Sequence, residues 1–267
     1  MKIQSLKLAY FSPTGTTKSI VQAIARGINQ DAAEEIDITQ TDVRKKQLQT
    51  TKNDLLVVAV PVYSGRVPVV LNEWLSMIKA DKTPVVCVVV YGNREYEDAL
   101  LELKDSMKKN GALPIAGAAF IGEHSFSSSD TPIAVSRPDA SDLHEAETFG
   151  RKIKETLQSI SSIEQISDID VPGKYPHREL ANRGAIDFLE LSDECTECGL
   201  CAESCPVGAI DFEDFSLVDK EKCILCCACI KICPENARTM KEGPMKDIAI
   251  RLSEMCKERK EPVFFFS

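Results

Sequence analysis

Residues Leu55–Val62 read LLVVAVPV, and Val85–Val90 read VVCVVV. Both runs are continuously apolar and rich in valine, with no polar residue at alternate positions. A strand with one wet face alternates apolar and polar side chains, whereas a strand covered on both faces does not. The two runs therefore predict strands of a parallel sheet buried between helices. Working outward, strands are expected at Leu6–Ser12, Glu34–Ile38, Asp54–Val62, Pro84–Tyr91 and Pro114–Ile121. Helical patterns fall between and after them, at about 16–29, 68–79, 95–110 and 142–159. Five strands alternating with helices predict an α/β fold, an open doubly wound five-stranded parallel sheet. Pro61, Pro68 and Pro84 sit at or near element boundaries, where a missing N–H does least harm.

After residue 160 this rhythm stops. Residues 161–189 mix short polar pieces with Pro172-Gly173 and Pro176, and read as a linker with room for one short helix. A cysteine-rich block follows at 190–240, giving domains at 1–160 and 190–240. A C-terminal segment, 241–267, contains an amphipathic helix at Met245–Lys257. Its closing EPVFFFS is short enough to read only as a local hydrophobic anchor.

Of 11 cysteines in the chain, nine lie between 195 and 233, a clustering that favours metal over disulfides. The N-terminus MKIQSLKLAYFSPTG has no long apolar segment of the signal-peptide kind, and no run approaches the roughly 20 residues of a membrane span. A reducing compartment, by default the cytoplasm, is the expectation. A net charge of −9 argues against nucleic acid, whose phosphates need a basic footprint.

Cys195, Cys198, Cys201, Cys205 and Pro206 recur 28 residues later as Cys223, Cys226, Cys229, Cys233 and Pro234, and Ala209 maps onto Ala237. Each half reads C-x2-C-x2-C-x3-C-P. Three closely spaced thiolates grip one 4Fe–4S cluster, and in two-cluster ferredoxins the cysteine before the proline ligates the other. That rule predicts one cluster on Cys195, Cys198, Cys201 and Cys233, and a second on Cys223, Cys226, Cys229 and Cys205. Zinc pairs are the alternative, but they are usually separated by a dozen residues or more. Cys227 is surplus, because Gly199 stands at the matching place. Between 190 and 240, eleven acidic side chains face four basic ones, either a solvated surface or a docking face for a basic redox partner.

The first strand runs straight into Ser12-Pro13-Thr14-Gly15-Thr16-Thr17 and then a helix, a natural anion site. It matches neither G-x-x-x-x-G-K-[ST] nor G-x-G-x-x-G. One hydroxyl would suffice for a helix cap.

SPTGTT resembles the phosphate loop of flavodoxins, which hold FMN phosphate with hydroxyls and amides. The resemblance implies FMN here, with Ser12, Thr14, Gly15, Thr16 and Thr17 at the phosphate. It also implies ring contacts from the loops after the third and fourth strands: Pro61, Val62, Tyr63, Ser64 and Gly65, then Tyr91, Gly92, Asn93 and Tyr96. GEHSF (122–126) and SRPDASDL (136–143) extend the resemblance to clostridial-type fusions of a flavodoxin-like domain with a small α+β two-cluster ferredoxin. Such a fusion implies an electron-transfer protein relaying electrons between FMN, two 4Fe–4S clusters and a redox partner. Two other readings stay open: a flavin-dependent reductase of a small organic acceptor, and a redox-sensing binding module. The linker is also long enough for a homodimer in which one chain's clusters face the other's FMN.

Overall fold

The computed structural model describes residues 3–29, 33–180 and 185–267. Its main sheet holds β1 (Ser5–Tyr10), β2 (Ala33–Asp37), β3 (Asp54–Pro61), β4 (Pro84–Tyr91), β5 (Leu113–Ile121) and β6 (Val263–Phe266). Their order is β6-β5-β4-β3-β1-β2. The first five are parallel, with Leu8 opposite Val57 and Val58 opposite Cys87 in register. All eight residues of β4 are buried, as a strand covered on both faces should be. Helices α1 (Thr16–Ile28) and α4 (Ala140–Ser159) cover one face, and α2 (Asn72–Met77) and α3 (Ala99–Lys109) the other. The Asp139 carboxylate caps α4 by accepting from the Ser141 and Asp142 N–H groups.

The tail corrects its sequence reading. Val263–Phe266 is a sixth strand, antiparallel to β5, with Phe264 opposite Ala118. Period-two alternation sends Phe264 and Phe266 to one face of the sheet, where their rings lie 5.0 and 5.4 Å from that of Phe149.

The expected linker is packed rather than spanning open space. Ile169 and Val171 are buried in the cluster on the face that α2 and α3 cover. Asp98 accepts the backbone N–H groups of Lys174 and Arg178 at 2.9 and 2.8 Å, and Lys104 Nζ donates to the Ile169 carbonyl. The short helix expected there is a single 3-10 turn at Ile163–Gln165; residues 181–184 of the same stretch lie outside the described residues.

The cysteine block contains two one-turn helices, Leu200–Glu203 and Ala228–Lys231, and a two-stranded antiparallel ribbon, Leu189–Leu191 with Arg238–Met240. Helix α5 (Pro244–Met255) then leads back to the sheet through Cys256–Lys260. The block is thus an excursion between β5 and β6, tied to the sheet on both sides.

Candidate functional site

At the C-terminal end of β1 the chain turns through Gly15, at φ 85°, and caps α1. Ser12 N–H donates to Thr39 Oγ1 at 2.8 Å, and Ser12 Oγ accepts the Lys18 N–H at 3.0 Å. The first N–H groups of α1 have no partner within the helix. Thr17 Oγ1 is buried and has no hydrogen-bond partner. Ser12, Thr14, Thr16 and Thr17 line a small cavity with Pro61, Val62, Tyr63, Tyr91, Gly92 and His124. An orphaned hydroxyl beside a helix N-terminus fits phosphate oxygens, so the donor set suits the phosphate of FMN.

A larger cavity of about 590 Å3 shares Val62, Tyr63, Tyr91, Gly92 and His124 with this small one. The larger cavity is lined by Tyr63, Ser64, Gly65, Tyr91 and Gly92 from the first domain, and by Cys223, Ile224 and Leu225 of the cysteine block with Ile248 and Leu252 of α5. A side chain at Gly92 would meet His124, whose Cδ2 lies 2.2 Å from the place a Cβ would take, so only glycine fits there. Burial holds the Tyr63 phenol neutral, well above its ordinary range, and the Cys226 and Cys227 thiols add to the effect. Burial, with Arg94 and Lys231, lowers the His124 imidazole to about 4. Its Nδ1 accepts the Phe126 N–H at 3.0 Å, which leaves the proton of the neutral ring on Nε2.

Two of the expected ring contacts, Asn93 and Tyr96, line neither cavity. The Asn93 amide donates to the carbonyls of Cys256 and Glu258 and accepts from Lys260 N–H, holding the tail. Tyr96 packs its ring 5.4 Å from Tyr91 and against the core. Gly15 lines no cavity and serves through its left-handed turn. Arg66, next to Gly65, pairs with Glu102 through two 2.7 Å contacts.

The cysteines surround two further cavities. Cys195, Cys198, Cys201 and Cys233 line one, with Pro234 and Arg238. Cys205, Cys223, Cys226 and Cys229 line the other, with Val207, Ala209 and Ile210. Among the described residues no three or more His, Cys, Asp or Glu side chains are placed to hold a metal ion between them. Four thiols spread round a cavity suit a polynuclear group. Burial pushes the Cys226 and Cys229 thiols up to about 12, so at neutral pH they become thiolates only when a metal holds them. Cys227 lines this second cavity too, and packs in an apolar cluster with Phe188 and Met245.

The second set is fastened to the first domain. Buried Arg44 donates to the carbonyls of Ile38 and Thr39, at 2.8 and 2.7 Å, and to that of Pro206, next to Cys205. Lys231 Nζ reaches Glu123 at 2.5 Å and the Ser127 carbonyl at 2.8 Å. Sequence reasoning missed Arg44, which carries no local signal. It also missed Arg238, although the 28-residue register pairs that position with Ile210.

Comparisons with known proteins agree with this division. The Flavodoxin domain family matches residues 7–124, and the 4Fe-4S binding domain family matches 191–211 and 217–239. Ferredoxin-2 of Chlorobaculum tepidum is 37% identical over 51 residues, covering 16% of this chain and 82% of its own. A component of the ion-translocating oxidoreductase complex of Methanosarcina acetivorans is 46% identical over 44 residues, 16% of this chain, and the chain spans only 17% of that relative. Among solved structures, a flavodoxin from the domain Archaea aligns at 16% identity and TM-score 0.40, covering 58% of this chain and 99% of that one. A short-chain flavodoxin associated with a non-canonical PDU bacterial microcompartment aligns at 17% and 0.41, covering 60% and 100%. No helix among the described residues is long and apolar enough to cross a membrane.

Proposed function

The chain belongs to the 4Fe-4S ferredoxins through residues 191–239 and carries a flavodoxin domain ahead of them, and on that premise we propose an electron-transfer protein that links FMN, two 4Fe–4S clusters and an outside redox partner. When bound, FMN supplies one- or two-electron chemistry and each cluster a one-electron step. We assign Cys195, Cys198, Cys201 and Cys233 to the first cluster, and Cys223, Cys226, Cys229 and Cys205 to the second. Ser12, Thr14, Thr16 and Thr17 hold the phosphate through hydroxyls and N–H groups, Gly15 turning the loop. Pro61, Val62, Tyr63, Ser64 and Gly65 shape one side of the ring site, and Tyr91 and Gly92 the other.

One observation carries the reading. Cys223, Ile224 and Leu225 line the same cavity as Tyr63 and Tyr91, so the second cluster's loop is a wall of the flavin site. Tyr63 lines that cavity and, being held neutral, adds no charge there. Arg44 and Lys231 tie the cysteine block to the first domain within one chain, which supports an intrachain relay over one that needs a dimer. The first set lies on the other side of the block, where Cys198 is exposed and Asp193, Glu194 and Glu197 face solvent. That surface suits a partner with a basic docking face. Thiols kept free for clusters ask for a reducing setting, here the cytoplasm.

Anaerobic purification followed by iron, sulfide and flavin analysis tests the assignment. About eight irons with matching sulfide and one FMN per chain are expected. Zinc without sulfide, or a chain that binds no flavin, would contradict it.

A further inference from the structure

The 28-residue repeat has one position where its halves differ in kind. Ala209 aligns with Ala237, so Ile210 aligns with Arg238. Both side chains are buried, at 3% and 2% exposure. An isoleucine there completes an apolar cluster with Ala202 and Cys229. A guanidinium there is costly, because a buried charge needs a counter-charge and hydrogen bonds. Arg238 has little of either. Its Nη2 donates to the Phe215 carbonyl, its Nε is buried with no partner, and among the described residues it forms no ion pair. Its position gives such a residue a use. It lines the cavity of Cys195, Cys198, Cys201 and Cys233, and its strand packs against the one-turn helix Ala228–Lys231, which carries Cys229 of the other set.

A 4Fe–4S core with four thiolate ligands carries net negative charge, and gains one more negative charge when it accepts an electron. Glu235 lines the same cavity, but it is exposed and forms no ion pair with Arg238 among the described residues. We propose that Arg238 is the shared counter-charge of both clusters: its guanidinium stabilises their reduced states, and its free Nε–H donates toward the first cluster's sulfur. The inference rests on the cluster assignment above. Each reduction it favours adds one electron, taken from an external reductant, and transfers no proton.

The test uses the full anaerobic holoprotein, with iron and sulfide content measured first; a wild-type chain without clusters would sink the assignment and not this inference. In loaded protein, EPR-monitored redox titration follows both clusters in wild type and in Arg238→Ile, Arg238→Gln and Arg238→Lys. Isoleucine is chosen because the matching position already holds one. Loss of the charge is expected to lower the reduced-to-oxidised ratio of each cluster about tenfold at fixed potential, a shift of about 59 mV to the negative for one electron. Lysine, which keeps the charge, is expected to stay near wild type. If the isoleucine protein does not load, glutamine against lysine decides. Equal titration of the neutral and charged variants would overturn the proposal, as would a shift confined to one cluster. Apo-protein stability gives a second readout: Arg238→Ile is expected to leave it unchanged or raise it. A marked loss would mark Arg238 as a structural prop and overturn the proposal.

Discussion

Gly199 and Cys227 occupy the same place in the two halves of the repeat, each in the left-handed region, at φ 79° and 57°, and each capping a one-turn helix. Gly199 is glycine, as that backbone prefers, and sits in the half whose Cys198 is exposed. Cys227 accepts the strained backbone and is buried with Phe188 and Met245, beside Cys226 and Cys229, which are buried too. One chain trace thus serves two environments. The first half faces solvent; the second lines a cavity with Tyr63 and Tyr91. The repeat fixes where the ligands are, and packing against the first domain decides what each half does.

The most disruptive probe of this asymmetry is removal of the crossing ligands. Cys205→Ala is expected to cost about half the iron, lost from the flavin-side site, and Cys233→Ala a similar amount from the solvent-side site. Iron analysis with EPR of the remaining cluster distinguishes them; damage on the wrong side would refute the crossing. Next in size is Arg44→Met, which strips three carbonyls of a buried charged donor. A loss of about 3 kcal/mol is expected in urea unfolding, with faster proteolysis between the domains. A variant as stable as wild type would show that the clamp contributes nothing.

A smaller effect reports on the seam itself. His124 titrates near 4 in the folded chain, against about 6.5 unfolded. Folding therefore favours the neutral ring. Its contribution is present above about pH 6.5 and is lost as pH falls through 4, on the order of 2 kcal/mol. His124→Gln should flatten that part of the apo-protein's pH–stability curve; a curve unchanged in that window would place the imidazole in water. The mildest change is Thr17→Val. It removes the orphaned hydroxyl, so apo stability should hold while FMN binds about fivefold more weakly, roughly 1 kcal/mol, by fluorescence titration. Unaltered FMN affinity would remove Thr17 from the phosphate site.

The parallel sheet was readable because valine runs encode burial on both faces, and β4 begins and ends where that pattern does. Cysteine spacing was readable for the same reason: ligation is local. Distant partners were not. The VFFF tail is too short to announce a strand, and its pairing to β5 depends on an open sheet edge over 140 residues away. Asn93 stands in a loop expected to touch the flavin, yet its amide is taken by carbonyls 163 and 165 residues on. Arg238 sits in a polar stretch and reads as surface until its burial is seen.

The relay stands or falls on whether the buried half of the repeat feeds the flavin site. Stopped-flow spectroscopy gives the decisive reading: loaded protein is mixed anaerobically with a reduced one-electron donor protein, and flavin bleaching is followed. Wild type is expected to bleach rapidly. Cys226→Ala, with FMN still bound, is expected to stay oxidised on the same timescale. Equal bleaching in the two would contradict the relay.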